Sequence, residues 1–263
     1  DQPRSRGLGD VYKRQYLLHY LSFRRFIMIS LYTGTPGSGK SYHAAIDIYN
    51  WLRAGKNVIS SININTSIIP PRSAHRPLGE FIYVHKSYFM KNSIYLKTSL
   101  GGKAAADNVY SYVYGLLNYA LQFHKRNYRG QIIENQTLLV IDEVNEIFNP
   151  RSWNKKDRQA WINFFTEHRK YGFKIILIVQ ADIMIDKQIR SVLQEQVLHR
   201  NVSRFKKLGK IIAFPFGGNL FVAIRSTYET KNKKDARLGA FLVFGSDYYV
   251  QLYDSYALSD PLI

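Results

Sequence analysis

The chain has 263 residues, of which 46% are hydrophobic, and this suits one large globular domain or a domain with an appendage. It contains no cysteine, which excludes disulfides, thiolate metal sites and cysteine nucleophiles. The formal charge of +18 favours a polyanionic partner or an anionic membrane face, although a well-solvated basic surface is the plain alternative. No run reaches the roughly 18 apolar residues of a membrane span, so we expect that the chain does not cross a membrane.

The first 27 residues differ from the rest. Their beginning, "DQPRSRGLGDVYKRQ", is polar and has no hydrophobic period, so residues 1–27 are predicted to be a non-native or disordered leader. The alternative is a native amphipathic helix at "YLLHYLSFRRF". The leader holds six basic and two acidic residues, so the remainder still carries 18 − 4 = +14. The basic character therefore belongs to the domain.

Strand-like and helix-like runs alternate over residues 28–205, which predicts an α/β domain with a parallel sheet and crossover helices. The predicted strands are Ile29–Tyr32, Val58–Ile64, Phe81–Val84, Leu138–Ile141 and Lys174–Val179. The predicted helices are Lys40–Arg53, Val109–Leu121, Asp157–Lys170 and Ile185–Leu198. Residues 206–263 are predicted to form a β-rich appendage that begins with a hairpin turning at Gly217 and Gly218.

Residues 34–41, "GTPGSGKS", match the P-loop pattern GxxxxGK[ST] between a predicted strand and a predicted helix. The backbone N–H groups of such a loop and the following helix N-terminus bind phosphate oxygens. Lys40 is predicted to reach the β- and γ-phosphates of ATP, and Ser41 to coordinate Mg²⁺. The plain alternative is a glycine turn with an incidental lysine. The predicted nucleotide-binding residues are Gly34, Thr35, Pro36, Gly37, Ser38, Gly39, Lys40, Ser41 and Tyr42.

A pair of acids follows a later buried strand in "TLLVIDEVNEIF". Asp142 stands at the carboxyl end of that strand, where ligands bind in open α/β sheets, and is predicted to hold Mg²⁺. Glu143 is predicted to orient the attacking water. Both acids alternatively cap a following helix. The pair favours a hydrolysing motor over a nucleotide kinase or a GTP switch.

The next buried strand, "KIILIVQ", ends in Gln180. A polar residue at this position is often only a strand end. If the strand lies between the P-loop strand and the Asp142 strand, however, Gln180 points at the γ-phosphate and senses it. That order is typical of the additional-strand, catalytic-glutamate class of ATPases.

Four segments occur in a characteristic order: "YTGTPGSGKSYHA", "LLVIDEVNEIF", "EHRKYGFKIILIVQ" and "DKQIRSV". Together they resemble the zonular occludens toxin (Zot)-like family of filamentous phage assembly ATPases, which is similar to FtsK/HerA-type DNA translocases. The resemblance covers about residues 28–205, and "VQLYDSY" near the end is also similar to the family. It implies a RecA-like P-loop fold and ATP hydrolysis coupled to virion extrusion at the host inner membrane.

The resemblance has further implications for assembly and partners. It implies a hexameric ring in which an arginine of one subunit acts on its neighbour, and Arg169 and Arg190 are the candidates. It also implies a membrane span and an outer tail, neither of which is recognised before Ile263, so we expect a fragment or a variant anchored by a partner. The basic surface would face phage single-stranded DNA, coat proteins or an anionic leaflet.

Two other functions remain open at this point. One is a soluble DNA-translocating or DNA-packaging ATPase of the same superfamily. The other is a nucleotide-binding scaffold that does not hydrolyse ATP. Glu143 discriminates between a motor and a scaffold, because only a motor requires a positioned water.

Overall fold

The structure is a computed structural model that describes residues 28–85, 112–150, 157–216, 219–228 and 236–253. Several predicted features lie outside these ranges: the leader 1–27, residues 98–111, the turn at 217–218 and the end of "VQLYDSY". Within the ranges, no helix is both long and apolar enough to cross a bilayer.

Eight strands form one sheet in the order β3-β2-β4-β5-β1-β6-β7-β8. The strands are β1 Ile29–Thr33, β2 Asn57–Ser60, β3 Phe81–Tyr83, β4 Thr137–Ile141, β5 Phe173–Ile178, β6 Glu195–Asn201, β7 Leu220–Thr227 and β8 Arg237–Phe244. The helices are α1 Lys40–Arg53, α2 Tyr112–Phe123, α3 Asp157–Glu167, α4 Lys187–Ser191, α5 Lys206–Ala213 and α6 Asp247–Leu252. Strands β1 to β6 pair in parallel, and β7 and β8 add antiparallel.

The central strands are buried on both faces, so the sheet separates two apolar cores. On β4, for example, Leu139 faces the core under α2 and α3, whereas Leu138 faces the core under α1. Because alternate residues of a strand point to opposite faces, an uninterrupted apolar run is what such a central strand requires. The predicted α/β fold with a parallel sheet is confirmed.

Two predicted boundaries change for identifiable reasons. Strand β2 ends at Ser60, not Ile64, because the Ser60 hydroxyl bonds both backbone groups of Ile62 and turns the chain. The predicted helix Ile185–Leu198 is wrong over its second half, which is β6. Its apolar residues up to Leu193 follow a helical spacing, but the burial of β6 alternates with period two.

The segment after residue 205 also differs from its prediction. The expected first strand of a hairpin, before Gly217, is instead α5 followed by a 3₁₀ turn over Phe214–Phe216. The β-rich character appears later, in β7 and β8, which pair with each other and continue the sheet from β6. After β8, helix α6 lies against α1, where Tyr248 and Tyr249 contact Tyr49. The division of the chain at residue 205 stays a prediction.

Candidate functional site

The glycine-rich loop joins β1 to α1 at the carboxyl edge of the parallel strands, as the P-loop pattern predicts. Its entry is fixed from β5, because the Gly34 N–H donates to the Gln180 carbonyl at 3.1 Å. The loop tip, residues 35–37, is exposed, whereas Ser38 is buried. The loop therefore presents its tip to solvent from a buried, hydrogen-bonded base.

Gly39 shows why the loop needs glycine at its helix junction. Its φ is +94°, a left-handed backbone conformation that residues with a side chain rarely adopt. A Cβ atom there would also lie 2.6 Å from the ring of Phe221 on β7. The turn into α1 thus requires a residue without a side chain at 39, both for its backbone angle and because the Phe221 ring fills the adjacent space.

Lys40 lies at the mouth of the loop. Its ammonium donates to the carbonyls of Gly34, at 2.8 Å, and Thr35, at 3.2 Å. Burial lowers the pKa of Lys40, while the negative charges of Asp142 and Glu143 raise it. A lysine in this position carries its charge to the place where phosphate oxygens of a loop-bound nucleotide would lie.

Ser41 and Asp142 meet across the site, as predicted. The Ser41 hydroxyl donates to Asp142 Oδ2 at 2.9 Å, although the two residues are 101 positions apart. Burial raises the pKa of Asp142, and the hydrogen bond from Ser41 opposes that effect. A hydroxyl and a carboxylate suit Mg²⁺, which prefers hard oxygen ligands, few protein groups and substrate phosphates. These two residues fit a magnesium ion bound together with nucleotide.

Glu143 directly follows and is held in an unusual backbone conformation. Its φ is +52°, and its N–H donates to Asp142 Oδ1 at 2.8 Å. The next residue, Val144, is buried and donates its N–H to the Ile178 carbonyl of β5. This bend leaves the Glu143 side chain exposed at the carboxyl edge and replaces the predicted alternative of a helix cap with a turn.

The strand order meets the condition set for Gln180. Strand β5 lies between β1 and β4, pairing in parallel with both. Gln180 follows β5 and is exposed at the edge that carries the loop and the acids. Its carbonyl anchors Gly34, and its role as a γ-phosphate sensor stays a prediction.

The remaining predicted residues have other partners. Arg169 precedes β5, at the opposite end from Gln180, and pairs with Glu134 at 3.1 Å on the surface. Arg190 lies on α4 and interacts with Tyr228. The Tyr42 hydroxyl donates to the Phe244 carbonyl at 3.2 Å, so it ties α1 to β8. The arginine-finger role of Arg169 and Arg190 stays a prediction.

Arg204 is a site residue that the sequence did not single out. It lies in a 3₁₀ turn after β6, and its guanidinium donates to the Thr35 hydroxyl at 3.3 Å. A Cβ at Gly37 would lie 2.8 Å from its Nη2 atom, so the guanidinium rests against the loop tip. Nearby, the Asn201 side-chain amide donates to the Gly37 carbonyl at 3.4 Å. The available signal was the basic cluster Arg204-Phe205-Lys206-Lys207, and such clusters are too common to select one residue.

A second unpredicted feature is a buried histidine pair beneath the loop. His43 of α1 and His199 of β6 share a hydrogen bond of 2.8 Å. Burial lowers the pKa of His199 to about 3, with the neighbouring His43 adding to the shift. The pair links the first turn of α1 to the strand that leads to Arg204, and each histidine was unremarkable in the sequence.

Comparisons with known proteins support the resemblance. The family described as "Zonular occludens toxin (Zot)" matches residues 114–209. The "Gene 1 protein" of Enterobacteria phage M13 is 44% identical over 88 residues, which are 33% of this chain and 23% of that protein. The "Gene 1 protein" of Salmonella phage IKe is 40% identical over 100 residues, 35% of this chain and 27% of its own length. The matched segment thus spans about a quarter of these relatives.

A solved structure agrees with the fold over most of the chain. The N-terminal domain of zonular occludens toxin from Neisseria meningitidis aligns with a TM-score of 0.50 and 14% identity, covering 87% of this chain and 99% of that domain. At this identity the similarity concerns the fold alone. The matched segment 114–209 carries Asp142, Glu143 and Gln180. Over that segment the resemblance of this chain to the zonular occludens toxin family is confirmed.

Proposed function

We propose that this chain is the ATP-hydrolysing part of a motor for filamentous phage assembly and extrusion. One observation supports the proposal: Ser41 of the glycine-rich loop segment donates to Asp142, and Glu143 follows directly after β4, which β5 separates from β1. The similarity to gene 1 proteins of filamentous phages supports the biological setting. The same proposal includes a hexameric ring, a location at the host inner membrane, and phage single-stranded DNA or coat proteins as partners.

In this mechanism the loop N–H groups and Lys40 bind the β- and γ-phosphates. Ser41 and Asp142 would hold Mg²⁺, which would neutralise charge on the phosphates of a bound nucleotide. Glu143 accepts a hydrogen bond from a water and aligns it with the γ-phosphorus, and Gln180 contacts the γ-phosphate. Positioning of this kind supplies most of the catalysis in phosphoryl transfer.

The test compares Glu143→Gln with the parent chain. The variant keeps the shape and hydrogen-bonding capacity of the side chain but loses its charge, so we expect ATP binding to remain. Turnover should fall by roughly 10²–10⁴-fold, the usual contribution of a general base. Binding is measured with a fluorescent ATP analogue, and turnover by release of inorganic phosphate.

Two further variants make the result specific. Glu146→Gln removes the same charge three residues away and should hydrolyse ATP at the parental rate. Lys40→Ala should instead weaken nucleotide binding itself. Parental turnover by Glu143→Gln would contradict the water-positioning role, and a parent chain that binds ATP without any turnover would support a scaffold.

A further inference from the structure

Among the described residues, helix α5 presents an unusually apolar surface. Its bulky apolar residues point outward: Leu208 is 72% exposed, Ile211 68% and Ile212 55%. They are spaced i, i+3, i+4 and therefore form one stripe along the helix. Phe205 before the helix and Phe214 after it are also exposed and extend this apolar stripe.

Packing fixes the outward direction of the apolar stripe. Among the described residues of α5, Gly209 and Ala213 are buried and lie on the side that meets the body. A Cβ at Gly209 would lie 2.1 Å from the carbonyl oxygen of Val202, so the helix backbone approaches the preceding turn closely. Larger side chains on this side of α5 would not fit against the turn. Rotating the helix to bury Leu208 or Ile211 would separate this contact.

Charge identifies what would cover the apolar stripe. Lys207 and Lys210 lie next to it and are exposed. The sequence from 196 to 224 contains no acidic residue, whereas it contains Arg200, Arg204, Lys206, Lys207 and Lys210. Protein–protein interfaces are depleted of lysine, whereas helices that lie in a membrane interface combine lysine with leucine and phenylalanine. Anionic headgroups attract each such lysine.

We propose that α5 with Phe205 and Phe214 is a docking surface for an anionic lipid bilayer, with the apolar stripe inserted between headgroups and Lys207 and Lys210 bound to phosphates. This rests on the inner-membrane location of the proposed function and assigns that contact to α5, whereas the ATPase activity itself requires no such surface. It does not require a spanning helix. Because the stripe is short, the apolar and electrostatic contributions are both needed for binding.

The test is flotation of the 263-residue chain with vesicles. Vesicles of phosphatidylcholine with about one-third phosphatidylglycerol should bind the chain at least tenfold more tightly than phosphatidylcholine alone, and added salt should weaken binding. Leu208→Asn should weaken binding by about tenfold, since most of that side chain would leave water on insertion. Lys207→Gln with Lys210→Gln should have a similar effect.

Matched variants on other surfaces give the controls. Ile183→Asn alters a residue that is 71% exposed, and Lys125→Gln with Arg129→Gln removes two exposed charges elsewhere. Both should bind vesicles like the parent. ATP turnover without lipid should be unchanged in the α5 variants, so a failed docking surface is distinguishable from a failed ATPase site.

Two results would overturn the proposal. One is parental binding to anionic vesicles by Leu208→Asn combined with Ile211→Asn, which would assign lipid binding to another part of the chain. The other is self-association that these substitutions abolish in lipid-free buffer, measured by light scattering, with no effect on flotation. That outcome would assign the apolar stripe to an interface between two copies of the chain.

Discussion

The glycine-rich loop lies between two unlike halves of the sheet. Toward β5 and β4, parallel strands end in Gln180, Asp142 and Glu143, so this half supplies acids and a polar amide. Toward β6 and β7, the loop meets the Arg204 guanidinium and the Phe221 ring. We call β4, β5 and the residues after them the acid half, because it provides groups suited to magnesium and water. We call β6, β7 and the turn with Arg204 the arginine half, because it provides a cation and the Phe221 ring that limits the space beside the loop.

The two halves also differ in how they are held together. Strands β4 and β5 are fixed mainly by apolar residues on both faces. Strand β6 is joined to both neighbours through buried Glu195. This carboxylate pairs with Arg225 of β7 and accepts a hydrogen bond from Ser30 of β1. The acid half therefore depends on packing, and the arginine half depends on a satisfied charge.

The largest expected effect comes from breaking that ion pair. Arg225→Met should cost about 3–5 kcal/mol of unfolding free energy, because it leaves the carboxylate of Glu195 buried without its partner. Urea denaturation at pH 7.5 measures this loss. The double variant Glu195→Leu with Arg225→Met should recover most of it.

An exposed ion pair provides the comparison. Arg169 and Glu134 are both about half exposed, so Arg169→Ala should change stability by less than about 1 kcal/mol. If Arg225→Met were equally mild, the arginine half would not depend on its buried charge.

Acid should weaken both halves through buried histidines. Burial lowers the pKa of His168, after α3, to about 4, and that of His199, on β6, to about 3. Unfolded histidine titrates near 6.5, so the unfolded chain binds more protons below that pH. Their contribution to stability is complete above pH 6.5 and is lost as the pH falls toward the folded pKa values.

At pH 5 each of the two histidines lowers the free energy of unfolding by about 2 kcal/mol relative to its value above pH 6.5. Urea denaturation at several pH values between 5 and 7.5 should show this loss as a steep slope of unfolding free energy against pH. His168→Gln and His199→Gln should each flatten that slope, whatever their effect at pH 7.5. An unchanged slope in either variant would mean that the corresponding half does not respond to acid through its histidine.

The acid half could be predicted and the arginine half could not, for a physical reason. Buried parallel strands require unbroken apolar runs, so "LLVI" and "KIILIV" were recognisable, and the residues that end them share one edge. Helix α5 has no comparable signal, because its isoleucines favour a strand and its fit depends on Gly209 contacting Val202. Arg204 reaches the loop only because β6 and the turn after it lie beside β1.

The prediction for nucleotide binding concerns Arg204 itself. Its guanidinium touches Thr35 and lies against Gly37, so a γ-phosphate in the loop would come within reach of a charged donor. Such a bond contributes about 1.5–3 kcal/mol, so Arg204→Ala should raise the KM for ATP roughly tenfold or more. The KM for ATP and the affinity for ADP, measured together, separate contact with the γ-phosphate from general loosening of the loop. Arg200→Ala removes an exposed arginine of β6 as the control. If Arg204→Ala weakens ATP and ADP equally, the arginine only supports the loop, and the division between an acid half and a phosphate-binding cationic half is wrong.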